Sequence, residues 1–171
     1  MIKLFCIGKN KDKALRALEA EYVKRMSAFD RMEVLEFKDE PDTKSQFEKE
    51  AVRIKKAEGD RVLEKIRPDD FVILLDLHGK SWSSEEFAKE RASWTNAGKP
   101  LVFVIAGSLG PSEELMKRAN VRWKLSDLTF THLMCRVLTL EQIYRSFMIE
   151  KAAPTTNRAA GINRSFSLLF F

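Results

Sequence analysis

Two rhythms of apolar residues alternate along this chain from end to end. Met1 to Ile7 is a nearly unbroken apolar run, as in a strand buried on both faces. Leu15, Leu18, Tyr22 and Met26 then recur at helical spacing among Lys and Arg, predicting a helix with one apolar face. Met32 to Phe37 alternates as a second strand and ends in the turn Asp39-Glu40-Pro41-Asp42. From Ser45 to Ile66 charge density rises, and Phe47, Ala51, Ile54, Val62 and Ile66 form the sparse apolar face of a long helix whose Glu and Lys read as a solvated surface. Phe71 to Leu77 is the most strand-like run of all. After it, Ser83 or Ser84 can cap a helix that stops at Asn96-Ala97-Gly98. Val102 to Ile105 predicts a further strand, Pro111-Ser112-Glu113-Glu114 opens a short helix with proline where its missing N–H costs nothing, and Val121 to Leu125 is a last short strand. The final helix, His132 to Ile149, is apolar almost all round.

Alternation of this kind predicts an α/β fold, an open and mostly parallel sheet with helices on both faces. Pattern alone points to an unknotted flavodoxin-like sheet, which holds its small molecule at loops leaving the carboxyl ends of strands. Two such loops stand out. One breaks abruptly from Ile105 into Ala106, Gly107 and Gly110; the other runs from Leu125 to Phe130 straight into a helix without the usual glycine or proline. A helix without a wide polar face needs cover on several sides, so a homodimer interface is expected along the last helix.

Composition narrows the class. The length of 171 residues favours one domain with a true core. An excess of 30 Lys+Arg over 25 Asp+Glu, net +5, is compatible with an RNA partner without requiring one. Cys6 and Cys135 lie far apart and form no CxxC pair, so neither a metal site nor a disulfide framework is expected, and buried thiols in a reducing cytoplasm are the plain reading. No apolar run reaches the ~18 residues that span a bilayer, and the first residues read as a strand rather than a signal peptide.

Four blocks carry a more specific resemblance: Leu74 to Lys80 (Leu-Leu-Asp-Leu-His-Gly-Lys), Ile105 to Gly110 (Ile-Ala-Gly-Ser-Leu-Gly), Leu125 to His132 (Leu-Ser-Asp-Leu-Thr-Phe-Thr-His) and Arg136 to Arg145. In that order the chain resembles the RlmH family of SPOUT-class methyltransferases. The resemblance implies methylation of a pseudouridine in 23S ribosomal RNA, on ribosomes in the cytoplasm, by a homodimer that uses S-adenosylmethionine and neither metal nor membrane. It also implies a carboxyl-terminal trefoil knot, which no periodicity would suggest.

Carried over residue by residue, the resemblance points to Leu75, Ala106, Gly107 and Leu125, Ser126, Asp127, Leu128, Thr129 and Phe130 as the cofactor wall. The family usually has two adjacent glycines where this chain has Ala106-Gly107. Methyl transfer to a ring nitrogen needs alignment and a proton acceptor near neutrality. His132 is placed for that role, with a helix-capping or dimer-contact histidine as the plain alternative, and Arg136 is expected beside it. Lys80 and Arg145 are candidate RNA contacts through phosphate, and Trp82 is either core or a platform for a splayed base.

The resemblance runs through residues 1–151 as a single domain and fails at 152–171. Family members end with a tail of the type Pro-Tyr-His-Lys, whose tyrosine and histidine reach the active site, whereas this chain has Pro154-Thr155-Thr156-Asn157. Read one base later, CCC TAC CAC AAA T becomes CCT ACC ACA AAT, which encodes Pro-Thr-Thr-Asn. Residues 152–171 are therefore expected to be a frameshifted tail. A chain of this fold that binds RNA or assists ribosome assembly with impaired catalysis is the competing expectation.

Overall fold

Strand segments rich in branched and aromatic apolar residues are sandwiched between helical layers, and the chain builds its sheet from them. The computed structural model describes residues 1–41 and 47–153. Their order is β1 (Ile2–Ile7), α1 (Lys13–Met26), β2 (Met32–Phe37), α2 (Glu48–Leu63), β3 (Phe71–Lys80), α3 (Ser84–Asn96), β4 (Leu101–Ile105), α4 (Glu113–Arg118), β5 (Val121–Trp123) and α5 (His132–Ala152). The five strands are all parallel in the order β2-β1-β4-β3-β5.

Side chains alternate across this sheet into two cores. Ile2, Leu4, Cys6, Ile73, Leu101 and Phe103 face α1, α3 and α5 through Met26, Phe87, Trp94, Leu140 and Ile143. Phe5, Ile7, Val72, Leu74, Val102 and Val104 face α2 and α4 through Val62 and Leu115. The chain therefore leaves β1 and β3 toward one face and leaves β4, which lies between them, toward the other. Such divergence opens a crevice at the carboxyl end of β4, the place where open α/β sheets bind ligands.

Three local expectations change. In α1, Leu18 is 46% exposed, and Glu19 takes the inward position between Leu15 and Tyr22, where Asn10 Nδ2 donates to its Oε1 at 2.8 Å. Ser112, not Pro111, caps α4, its hydroxyl accepting from Leu115 N at 3.2 Å, so the proline precedes the helix. β3 continues to Lys80: it jumps register between Leu75 and Lys80, both opposite Trp123. Gly79 makes the return possible, since a Cβ there would lie 2.5 Å from the Arg122 carbonyl.

The last helix is covered by its own chain to a greater extent than its pattern suggests. Leu140 and Ile143 are fully buried against the sheet and its neighbouring helices, and Arg91 of α3 pairs with Glu150 while lying 3.8 Å over the Phe147 ring. Among its large apolar residues only Met134, at 40%, is exposed. Trp82 belongs to an aromatic cluster with Phe87, Trp94 and Trp123, in which Phe87 stacks on Trp123 at 4.3 Å. Cys6 is buried and its thiol is pushed up to about 12 by desolvation, while Cys135 is half-buried; both are free.

Candidate functional site

Three adjacent strands, β4, β3 and β5, end in the loops that the sequence singles out. Leu75 is half-buried at the last regular pairing of β3 with β5. Asp76 fixes that end: it accepts from Arg122 Nε at 2.5 Å and from His78 N at 2.9 Å, and these bonds hold its carboxyl below the usual range against the opposing effect of burial. Ala106 is buried at the end of β4, and Gly107 begins a turn closed by Gly110 N donating to Gly107 O at 3.0 Å. Only Gly110 of the two uses a left-handed conformation, at φ 87°.

Gly107 is required for another reason. A Cβ at this position would lie 2.5 Å from Glu58 Oε2, so the bare backbone is what lets a carboxylate of α2 reach the loop. Glu58 is 4% exposed; its Oε1 accepts from Glu40 N at 2.9 Å and its Oε2 is buried without a hydrogen-bond partner. Burial raises its pKa first, and the neighbouring Asp39 raises it further. Gly59 brings the helix in: a Cβ there would collide with the Ser112 hydroxyl that caps α4, so α2 and α4 meet backbone to side chain.

The loop after β5 is the third of these loops. Leu125 and Ser126 are half-buried, and the Ser126 hydroxyl accepts from Leu128 N at 3.0 Å. Asp127 pairs with Lys124, Thr129 is exposed, and Leu128 and Phe130 present 69% and 40% of their surface. A cleft of about 330 Å³ takes in Leu125, Ser126 and Phe130, and its other lining comes from Trp82, Ser84, Phe87 and Gln142 rather than from Leu75, Ala106 or Gly107. It therefore flanks the loop on the side of α3 and α5.

The expected catalytic pair stands toward the other strands. A Cβ at Gly8, where φ is 90°, would lie 3.8 Å from His132 Nε2 and 4.0 Å from Asp39 Oδ2, so imidazole and carboxylate flank the carboxyl end of β1. Burial and the Arg136 charge push the His132 pKa down, opposed by Asp39. Arg136 is fully buried: Nη1 donates to Glu36 Oε1 at 2.7 Å and Nη2 to Gly8 O at 2.5 Å. Glu36 also accepts from Asn10 N at 2.7 Å, so the network continues through Asn10 to Glu19. Lys80 is exposed, 3.6 Å from Glu90 and 5.3 Å from the Trp82 ring centre, His78 is exposed, and Arg145 pairs with Glu141.

The structure sets Leu75, Ala106-Gly107 and the 125–130 loop, which the resemblance joins in one cofactor wall, at the ends of neighbouring strands, and it adds Glu58, which the sequence did not single out. Its signal was a Glu-Gly pair inside a helix, since a helical glycine costs about 1 kcal/mol and calls for a packing reason.

A parallel sheet with three loops leaving the carboxyl ends of adjacent strands is the arrangement at which α/β enzymes hold small molecules. Over residues 1–154 the chain matches the family described as predicted SPOUT methyltransferase. It is 43% identical over 154 residues to Ribosomal RNA large subunit methyltransferase H of Latilactobacillus sakei, covering 90% of this chain and 97% of that one. The same name is carried by a Bacillus thuringiensis subsp. konkukian protein, 45% identical over 90% of this chain and 97% of its own, and by a Desulfitobacterium hafniense protein, 43% identical over 90% and 96%. The chain belongs to the SPOUT methyltransferase family.

Proposed function

We propose that this protein uses S-adenosylmethionine to methylate a pseudouridine in 23S ribosomal RNA, acting on ribosomes in the cytoplasm as a knotted homodimer. The observation that carries the reading is identity of 43–45% across nearly the whole of relatives named Ribosomal RNA large subunit methyltransferase H. The pocket chemistry fits the cofactor. Bare backbone at Gly107, half-buried Leu75 and Leu125, and a loop over residues 125–130 that is neither helix nor strand suit an adenosine that is read through backbone donors and acceptors. When bound, the cofactor would supply an electrophilic methyl on a cationic sulfur.

The chain's own residues then have separable tasks. His132, kept neutral near pH 7 by burial and by Arg136, accepts the ring-nitrogen proton. Arg136 is a positioning residue, because its terminal nitrogens are engaged and its guanidinium ties α5 to the ends of β1 and β2. Lys80, exposed beside the loop after β3, and Arg145, half-buried on α5, contact phosphate. A second copy covers Leu128, Phe130 and Met134, the exposed apolar residues beside the cofactor loop. Among the described residues no helix is long and apolar enough to cross a membrane, and no group of His, Cys, Asp or Glu could hold a metal ion.

We read residues 152–171 as a frameshifted tail; those from 154 onward lie outside the described residues, and the family match ends at 154. The deciding experiment offers methyl-labelled S-adenosylmethionine and unmodified ribosomes to the purified chain. Label in large-subunit RNA is expected. Absence of label with this chain, and with a version whose tail is replaced by Gly-Ser-Pro-Tyr-His-Lys, would overturn the reading. Label only with the replaced tail would identify the tail as the impairment.

A further inference from the structure

We propose that Glu58 receives the α-ammonium group of the methyl donor's amino-acid tail, an inference that rests on the reading that the Gly107 loop carries S-adenosylmethionine. Glu58 stands on the helix that faces this loop, and its Oε2 is buried, unpartnered and turned onto Gly107. A buried carboxylate oxygen without a donor is rare in folded proteins and calls for a specific explanation. The protein holds this one deliberately: Oε1 is fixed by Glu40 N, Gly59 lets α2 sink onto Ser112, and Gly107 has no side chain in the way.

Among the described residues no cation bonds to Oε2. Arg61 is the closest in electrostatic effect, but its guanidinium pairs with Glu40 and donates to Lys38 O at 2.8 Å. Asp39 and Glu40 add negative charge, so the place is built for a cation brought by a ligand. Of the donor's two positive centres, the sulfonium carries three carbon substituents and no N–H, whereas the ammonium carries three donors. Of these two centres only the ammonium completes a hydrogen bond to Oε2, and it alone joins that bond to a charge that offsets the carboxylate. A charge-assisted bond of this kind is about twice as strong as a neutral one.

Calorimetry on the full chain at pH 7.5 with S-adenosylmethionine, S-adenosylhomocysteine and 5′-methylthioadenosine, which lacks the amino-acid tail, tests the assignment. Glu58→Gln should weaken the first two alike, by roughly 10- to 100-fold, and leave the third within about twofold. Loss for all three would make Glu58 a support of the loop or a contact of the shared adenosine, loss for S-adenosylmethionine alone would make it a sulfonium contact, and no loss would leave it without a role in binding; each overturns the proposal. Ligand-free Glu58→Gln should melt no lower than wild type, because the amide removes a buried uncompensated charge. Should the variant nevertheless unfold, the wild-type series decides: 5′-methylthioadenosine must bind at least about 10-fold more weakly than S-adenosylhomocysteine, and equal binding refutes the assignment. A folded wild-type chain that binds none of the three overturns the methyl-donor reading itself, and the role of Glu58 with it.

Discussion

Along the carboxyl edge of the sheet, the end at β1 and β2 buries a cation against an anion, whereas the end at β4 buries an anion against bare backbone. Arg136 meets Glu36 and the Gly8 carbonyl, Glu36 meets Asn10, and Asn10 meets Glu19. Glu58 has one oxygen on a backbone N–H and the other on nothing. Burying a polar group is tolerable when its partners come with it. The first network is therefore complete without a ligand and holds α5 to the sheet. The second lacks a partner for Oε2 among the described residues, and it is there that the proposed ligand would complete it.

Breaking the completed network should have the largest effect. Arg136→Met removes a buried cation from its bonds to the Gly8 carbonyl and to Glu36, an exposed residue that water can still reach, so a loss of about 2–3 kcal/mol is expected in urea unfolding. A loss below about 1 kcal/mol would show that the pair does not hold the helix. Gly107→Val acts at the other end: its side chain would collide with Glu58 and fill the loop, lowering S-adenosylmethionine affinity on the order of 100-fold. Unchanged affinity in a folded variant would move the cofactor away from this loop.

How far these regions were legible in the sequence follows from the kind of signal each sends. The strands announced themselves because β1 and β4 are buried on both faces and tolerate little but apolar residues. Leu18 and Glu19 misled, because helical periodicity assigns the leucine inward and cannot anticipate that Asn10, nine positions earlier, rewards a buried glutamate. Arg136 could be singled out as a charge in an apolar helix, yet its partner lies 100 positions away. Glu58 was hidden in a charge-rich helix where every neighbour looks the same; only Gly59 beside it broke the pattern. Leu140, central to the apolar helix, proved to be fully buried within its own chain, so it reports on folding and not on dimerisation.

The dimer is better probed where apolar surface remains. Met134→Asp and Phe130→Asp should shift sedimentation from dimer toward monomer with little change in melting temperature, since both side chains are 40% exposed in the single chain. A wild-type monomer at micromolar concentration would remove that interface. The smallest effect concerns His132. Its pKa is depressed in the folded chain, so the native state takes up its proton later than the unfolded chain does at about 6.5. The stability tied to this group is complete above that pH and falls as pH drops below it. His132→Gln should flatten the decline just below pH 6.5, and superimposable pH profiles would show that the imidazole is not shielded.

A crystal structure of the chain with S-adenosylhomocysteine tests the central claim most directly. The account predicts a ligand at the carboxyl ends of β4, β3 and β5, its adenine between Leu75 and the backbone of residues 125–130, its ribose side along Gly107, and its ammonium on Glu58. Density in the aromatic cleft against Trp82 and Phe87 instead, with the Gly107 loop untouched and Glu58 still unpartnered, would contradict it.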